Sequence, residues 1–282
     1  MKLPEQYNLS TDKKKMNEKL LSFSERAMEL KDRDLFRKIF SLIDLTSLDV
    51  SDSENKILGM IQKVNQLPGR FDGIPNVAAI CVYPNFMPLM KENLKAEGVK
   101  KATVAASFPS SQTFTSIKMR EVEEVIRAGA DEVDIVLPVG KFLDGRYQEV
   151  FDEIRQIKDI VGDRHLKVIL ETAVLSDLEK IKYASFLSLE AGADFIKTST
   201  GKNGPGASPE AVYVMCEALR EFYKETNKVA GIKPAGGISD PGTAVQYYLI
   251  VNDILGNDWM KPSHFRIGAS KLANNLLGEG YF

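Results

Sequence analysis

Two lysines stand in runs that otherwise read as buried strands: Lys197 within ADFIKTSTGK and Lys233 within VAGIKP. An ammonium group in an apolar interior is costly unless it is paired, solvated or shifted to its neutral amine. If the two face inward on neighbouring strands at about 4 Å, in an effective dielectric near 20, they repel by about 4 kcal/mol. With about 1.36 kcal/mol per unit, one lysine would fall roughly three units from about 10.4 and supply a neutral amine near pH 7. Such an amine attacks a carbonyl carbon, and the resulting protonated imine is an electron sink for making or breaking the adjacent carbon–carbon bond. Asp134, in EVDIV, adds a carboxylate that would stay ionised beside two lysines and relay protons through water. Taken singly, a strand-end lysine is more often a snorkelling or ion-paired side chain, so the argument lies in the combination.

The elements that must position these groups are legible as eight short apolar runs: SLIDLT, VAAICVY, ATVAASF, EVDIVLP, KVILET, DFIKTS, VAGIKP and HFRIGAS. Helix-like stretches separate them, from SENKILGMIQKVNQL to DPGTAVQYYLIVNDILG, and SKLANNLLG follows the last run. Eight strand–helix units near the usual barrel length predict an α/β fold, a (β/α)8 TIM barrel. A doubly wound open sheet is the alternative, but no GxGxxG fingerprint follows the first strand. Residues 1–38 are polar and charged with helical apolar spacing at Met16, Leu20, Leu21, Phe23, Met28 and Leu30. They predict an amino-terminal helical extension packed on a single catalytic barrel of residues 39–282, and the KKK run reads as a solvated helix start.

Barrels gather chemistry at the carboxyl ends of their strands, which makes Asp44, Asp134, Glu171, Lys197 and Lys233 the candidates. KPAGGISDPGTA places two glycines between the seventh strand and a helix, and IGASKLANN makes a small-residue turn after the eighth. Each is weak alone; together they suit an anion at the seven–eight corner.

Composition excludes several other classes. The chain has 282 residues, 44% hydrophobic and 27% charged, with a formal net charge of -2. No basic excess points to nucleic acid or an anionic membrane, and no run suits a transmembrane helix or signal peptide, so a cytoplasmic protein is the default expectation. Cys81 and Cys216 lie in apolar stretches and read as buried reduced thiols. His165 and His264, far apart and without HxxxH or HExxH spacing, make a catalytic zinc unexpected.

From about Phe40 to Ser270 the sequence resembles the deoxyribose-phosphate aldolases, a family of class I Schiff-base aldolases on (β/α)8 barrels. The resemblance rests on DLT at Asp44 to Thr46, AAICVYP from Ala78, GADEVDIV from Gly129, GADFIKTSTGK from Gly192 and GIKPAGG from Gly231. It implies that Lys197 forms the Schiff base, that Lys233 perturbs it and that Asp134 relays protons. It implies phosphate contacts at Gly201, Lys202, Gly236, Gly237, Gly268 and Ser270, and sugar-side contacts at Asp44 and Thr46. Cys81 matches a cysteine that in some relatives reacts with an unsaturated aldehyde by-product. The implied reaction is reversible cleavage of 2-deoxy-D-ribose 5-phosphate to acetaldehyde and D-glyceraldehyde 3-phosphate, without metal or cofactor. The implied partners are the phosphorylated sugar and acetaldehyde, and the resemblance also suggests a homodimer.

The sequence departs from the family pattern at Ser111, Ser239 and Lys271, which bears on phosphate-site detail and substrate preference. Tyr281, next to the last residue, is read as part of a flexible tail in preference to a mobile catalytic tyrosine. Two other readings stay open: a Schiff-base aldolase for another sugar, and a barrel that binds a phosphorylated metabolite without turning it over.

Overall fold

The computed structural model describes residues 7–30 and 32–282; the first six residues of the expected extension, and Lys31, lie outside the described residues. Each of the eight apolar runs carries a strand, β3 and β5 beginning two residues ahead of theirs: β1 Ile43–Thr46, β2 Ala79–Val82, β3 Lys100–Val104, β4 Glu132–Val136, β5 His165–Ile169, β6 Phe195–Lys197, β7 Gly231–Lys233 and β8 Ile267–Ala269. Every pairing is parallel, in the order β7-β6-β5-β4-β3-β2-β1-β8. Bridges Ile232 to Phe265 and Ala235 to Gly268 join the two ends. At that seam Ile232 N donates to His264 O at 2.9 Å, Arg266 N to Ile232 O at 3.0 Å and Gly268 N to Pro234 O at 2.8 Å. The fold is the expected (β/α)8 barrel.

Several strands are shorter than their runs for a local reason. The DFIKTS run leaves the ladder after Lys197 because Thr198 bonds sideways: its Oγ1 donates to Ala235 O at 3.0 Å and accepts from Ala235 N at 2.9 Å. Helices start where side-chain oxygens cap free N–H groups, at Ser53, Asp177, Ser208 and Asp240. Two short rim helices escaped the sequence reading, Val139–Leu143 after β4 and Thr172–Leu175 after β5.

The amino-terminal segment forms α1 (Lys13–Glu29) and α2 (Arg33–Phe40). Asp12 caps α1, and Lys13, Lys14 and Lys15 are exposed, so the KKK run is a solvated helix start. The buried stripe of α1 is Met16, Leu20, Phe23 and Ala27, set against helices Pro209–Thr226 and Pro241–Leu255. Leu21 and Met28, 63% and 69% exposed, fall off that stripe because one helical face cannot present adjacent positions together. Residues 38 and 39, where the sequence reading divides extension from barrel, lie inside α2. Among the described residues no helix is long and apolar enough to cross a membrane.

Packing has two parts. A large apolar shell fills the space around the strands, and a small separate cluster of Leu48, Ala79, Cys81, Ala102 and Val104 belongs to β2, β3 and the loop after β1. Most of the remaining barrel interior is charged.

Candidate active site

Side chains alternate along a strand, so Glu132 and Asp134 share the inner face of β4. Pairing register sets Asp134 opposite Lys167 on β5, and Lys197 opposite Lys233 across β6 and β7. Asp44 on β1 and Arg266, just before β8, complete the set, and all seven side chains are buried. The network runs lengthwise. Glu132 begins β4 at the amino end; Lys197 and Lys233 end β6 and β7 at the carboxyl end.

Contacts within it are short and mutual. Lys197 Nζ lies 2.8 Å from Asp134 Oδ2, and Lys233 Nζ lies 2.8 Å from the same oxygen and 2.6 Å from Asp44 Oδ2. Lys167 Nζ meets Glu132 Oε2 at 2.6 Å, Asp134 Oδ1 at 3.1 Å and Asp44 Oδ2 at 3.3 Å. Arg266 bonds Asp44 Oδ1 at 2.5 Å and Glu132 Oε1 at 2.7 Å, with its guanidinium 5.7 Å from the Phe195 ring centroid.

Protonation follows from these contacts. Burial resists charge on Asp44, yet Lys167, Lys233 and Arg266 hold it down at about 2. Asp134 is likewise held well below the carboxylate range, burial being outweighed by Lys167, Lys197 and Lys233. Lys233 and Lys167 are raised: burial opposes their charge, and the carboxylates, Asp134 foremost, more than compensate. Lys197 alone of the three lysines is lowered, by burial first and by Lys233, against the pull of Asp134. The expectation that repulsion from Lys233 drives the shift is therefore corrected: desolvation is the larger cause. Lys233 itself stays cationic between two carboxylates.

A cleft of about 860 Å³ opens at the carboxyl ends of the strands. Lys197 lines it, and so do Thr46, Gly201, Lys202, Gly236, Gly237, Gly268 and Ser270, with Ser239 and Lys271 at the rim. The loops after β6 and β7 touch backbone to backbone, since a Cβ on Gly206 would fall 2.0 Å from Gly236 O. Glu171 supports this floor from the side: it accepts from Thr200 N at 2.6 Å, Thr200 Oγ1 at 2.9 Å and Asn203 Nδ2 at 2.9 Å. An amine that burial pushes toward its neutral form at one end of a cleft, and a glycine-rich rim with Lys202 and Lys271 at the other, suit an aldehyde carrying a distal anion.

Comparison with known proteins identifies the family. The model of the DeoC/LacD family aldolases matches residues 45–246. The chain belongs to this aldolase family. A Caenorhabditis elegans protein named "Putative deoxyribose-phosphate aldolase" is 37% identical over 269 residues, 94% of this chain and 88% of the relative. A solved Coccidioides immitis structure with the same name is 26% identical, with a TM-score of 0.72 over 95% of this chain and 99% of that one. The deoxyribose phosphate aldolase of Aeropyrum pernix, whose structure is titled tetrameric, shares the fold at 23% identity and a TM-score of 0.69, over 91% and 96% of the two chains.

In this DeoC/LacD aldolase three charged residues of the network were not singled out from sequence: Lys167, Glu132 and Arg266. The signal for Glu132 was present, two residues from Asp134 in EVDIV and hence on the same face. Lys167 and Arg266 sit away from the carboxyl ends of their strands, where a barrel gathers its chemistry. Asp44 lies apart from the cleft lining, fully buried and committed to Lys167, Lys233 and Arg266; Thr46 reaches the cleft and donates to Asp44 O at 2.8 Å. Cys81 is buried and free on β2, and burial, with Asp134 nearby, pushes its thiol up. Ser111 holds φ +57, steadied by Lys118 Nζ donating to its Oγ at 2.8 Å. The flexible-tail reading of Tyr281 is overturned. Its hydroxyl donates to Lys63 O at 2.9 Å, its ring meets Phe71 edge-on at 5.2 Å, and Asn274 Oδ1 accepts from the N–H groups of Tyr281 and Phe282.

Proposed function

We propose that this aldolase is a class I enzyme that reversibly cleaves 2-deoxy-D-ribose 5-phosphate to acetaldehyde and D-glyceraldehyde 3-phosphate through a Schiff base on Lys197. The observation that carries the reading is that Lys197, the interior lysine lining the cleft, is also the one with a single carboxylate contact and a depressed pKa. The names of the relatives support the substrate.

The chemistry starts with the open-chain sugar. Neutral Lys197 Nζ attacks the C1 aldehyde, and loss of water from the carbinolamine gives the iminium. The C3 hydroxyl gives up its proton, relayed through water to Asp134, and the C2–C3 electron pair moves into the iminium. Glyceraldehyde 3-phosphate departs and leaves an enamine, which takes a proton at C2. Water then hydrolyses the iminium, releasing acetaldehyde and restoring the amine. Lys233, held cationic, keeps an ordered positive charge beside Asp134 and favours the neutral form of Lys197. Gly201, Gly236, Gly237 and Gly268 bring backbone close to the phosphate, and Lys202 and Ser270 add side chains. The iminium itself stabilises the developing carbanion, so the step asks no metal of the protein.

The test is incubation with acetaldehyde, borohydride reduction and peptide mass mapping. A two-carbon adduct on Lys197, absent in Lys197→Met and unaffected by chelator, is expected. An adduct spread over surface lysines, or none, rejects the reading. Assay of 2-deoxyribose 5-phosphate against ribose 5-phosphate and unphosphorylated deoxyribose then tests the substrate.

A further inference from the structure

The buried network does not balance. Lys167, Lys197, Lys233 and Arg266 supply four cations, while Asp44, Glu132 and Asp134 supply three carboxylates. With every group ionised, the barrel interior would hold one uncompensated positive charge, and a buried unpaired charge neutralises instead. The contacts decide which group gives way. Lys167 touches three carboxylates, Lys233 two and Arg266 two, whereas Lys197 touches Asp134 alone. Arg266 cannot be the one to yield, because a guanidinium keeps its proton.

We propose that Arg266, which makes no contact with Lys197, keeps that lysine neutral by supplying the surplus cation of the buried network. The inference rests on the Schiff-base reading above and adds a positioning residue to it. The groups facing Lys197 are Asp134 from β4, Lys233 from β7 and Cys81 from β2, with Lys167, Asp44 and Arg266 joined to them through shared contacts. His165 Nδ1, 3.2 Å from Glu132 Oε1 and 36% exposed, adds charge only when protonated.

Removing Arg266 leaves three cations for three carboxylates, so Lys197 keeps its proton. Removing Glu132 as well restores the surplus of one. Removing Glu132 alone raises the surplus to two and drives Lys197 further toward the amine. Arg266→Lys preserves the count while losing the forked geometry.

The experiment follows the rate of acetaldehyde adduct formation at Lys197, trapped by borohydride, from pH 5 to 10 in the full-length protein. In Arg266→Met the rising limb moves to higher pH, with about a tenfold lower rate at pH 7 for each unit moved. The curve rejoins the parent at high pH, which a merely structural defect would not do. Arg266→Lys and Arg266→Met/Glu132→Gln return the limb to its parent position. If Arg266→Met does not fold, Glu132→Gln reads the same balance in the opposite direction, with its limb moving to lower pH. A limb that stays in place in a folded Arg266→Met, or in Glu132→Gln, overturns the proposal. Absence of any Lys197 adduct in the parent overturns the Schiff-base reading instead.

Discussion

The barrel interior has two unlike sides. On β2 and β3 the clustered side chains are small and apolar, Ala79, Cys81, Ala102 and Val104, whereas β1, β4, β5, β6, β7 and the approach to β8 carry seven interlocked charges. Register makes the boundary abrupt: Val104 pairs with Asp134, and Ala79 with Asp44. The apolar wall offers no hydrogen bond and no counter-charge. Each charge on the other side must find its partner within the network, and only there does the count of cations and carboxylates set which proton is lost. A wetter or more polar wall would let solvent settle the imbalance.

The largest break in that division comes from Asp134→Asn, which strips the shared carboxylate from Lys167, Lys197 and Lys233. Turnover is expected to fall by roughly 10²–10⁴ through loss of acid–base catalysis. Stability is expected to fall by about 3–5 kcal/mol because buried cations lose their partner. Steady-state kinetics and urea unfolding measure the two effects separately, and near-parent turnover would show Asp134 to be purely structural.

Val104→Asp carries charge into the apolar wall itself. A fourth carboxylate beside Asp134 balances the four cations, so the limb of Lys197 adduct formation moves to higher pH and the rate at pH 7 drops about tenfold for each unit moved. Val104→Thr, of similar shape and uncharged, should leave the limb in place.

Acid unfolding tests the charged side as a whole. The folded value of Asp44 is depressed to about 2 from 3.8, so its contribution is complete above the unfolded value and lost as pH falls through the folded one. Circular dichroism melts are expected to weaken between about pH 4 and 2, and Asp44→Asn should remove its share of that slope. On the apolar side the expected effect is smaller. Cys81→Ser buries a hydroxyl among apolar neighbours and costs about 1–3 kcal/mol by denaturant unfolding, with the pH limb of trapping unmoved. Smallest is Lys271→Ala at the exposed rim. KM for the phosphorylated sugar should rise about two- to fivefold at low salt, with kcat unchanged, as for a contact worth ~0.5–1 kcal/mol. High salt should erase the difference.

The sequence made the charged side only partly readable. Lys197, Lys233 and Asp134 stood out because a charge in an apolar run needs an explanation, and the eight runs placed them on eight strands. Asp44 was found as well, but as a contact for sugar, since nothing in DLT tells whether a strand-end carboxylate faces the cleft or the lysines. Glu132 was within reach through alternation with Asp134. Arg266 was not, for its role depends on which strands close the barrel at the seam between β7 and β8, a pairing that no local pattern encodes. The docked Tyr281 was hidden for a similar reason: its partners Lys63 and Phe71 lie some two hundred residues upstream. Strand ends were overestimated wherever a side chain such as Thr198 replaces a ladder bond.

The crossing of Gly206 and Gly236 has a consequence for how this catalyst can diversify. Because either α-carbon would carry its new methyl into the other's backbone, neither position can accept a side chain by a single change without both loops being rebuilt. Mutational drift at this end of the cleft is thereby channelled outward to Lys202, Ser239 and Lys271, which line the cleft without being wedged against another loop's backbone. New acceptors would be acquired by redecorating that margin over a floor that stays the same.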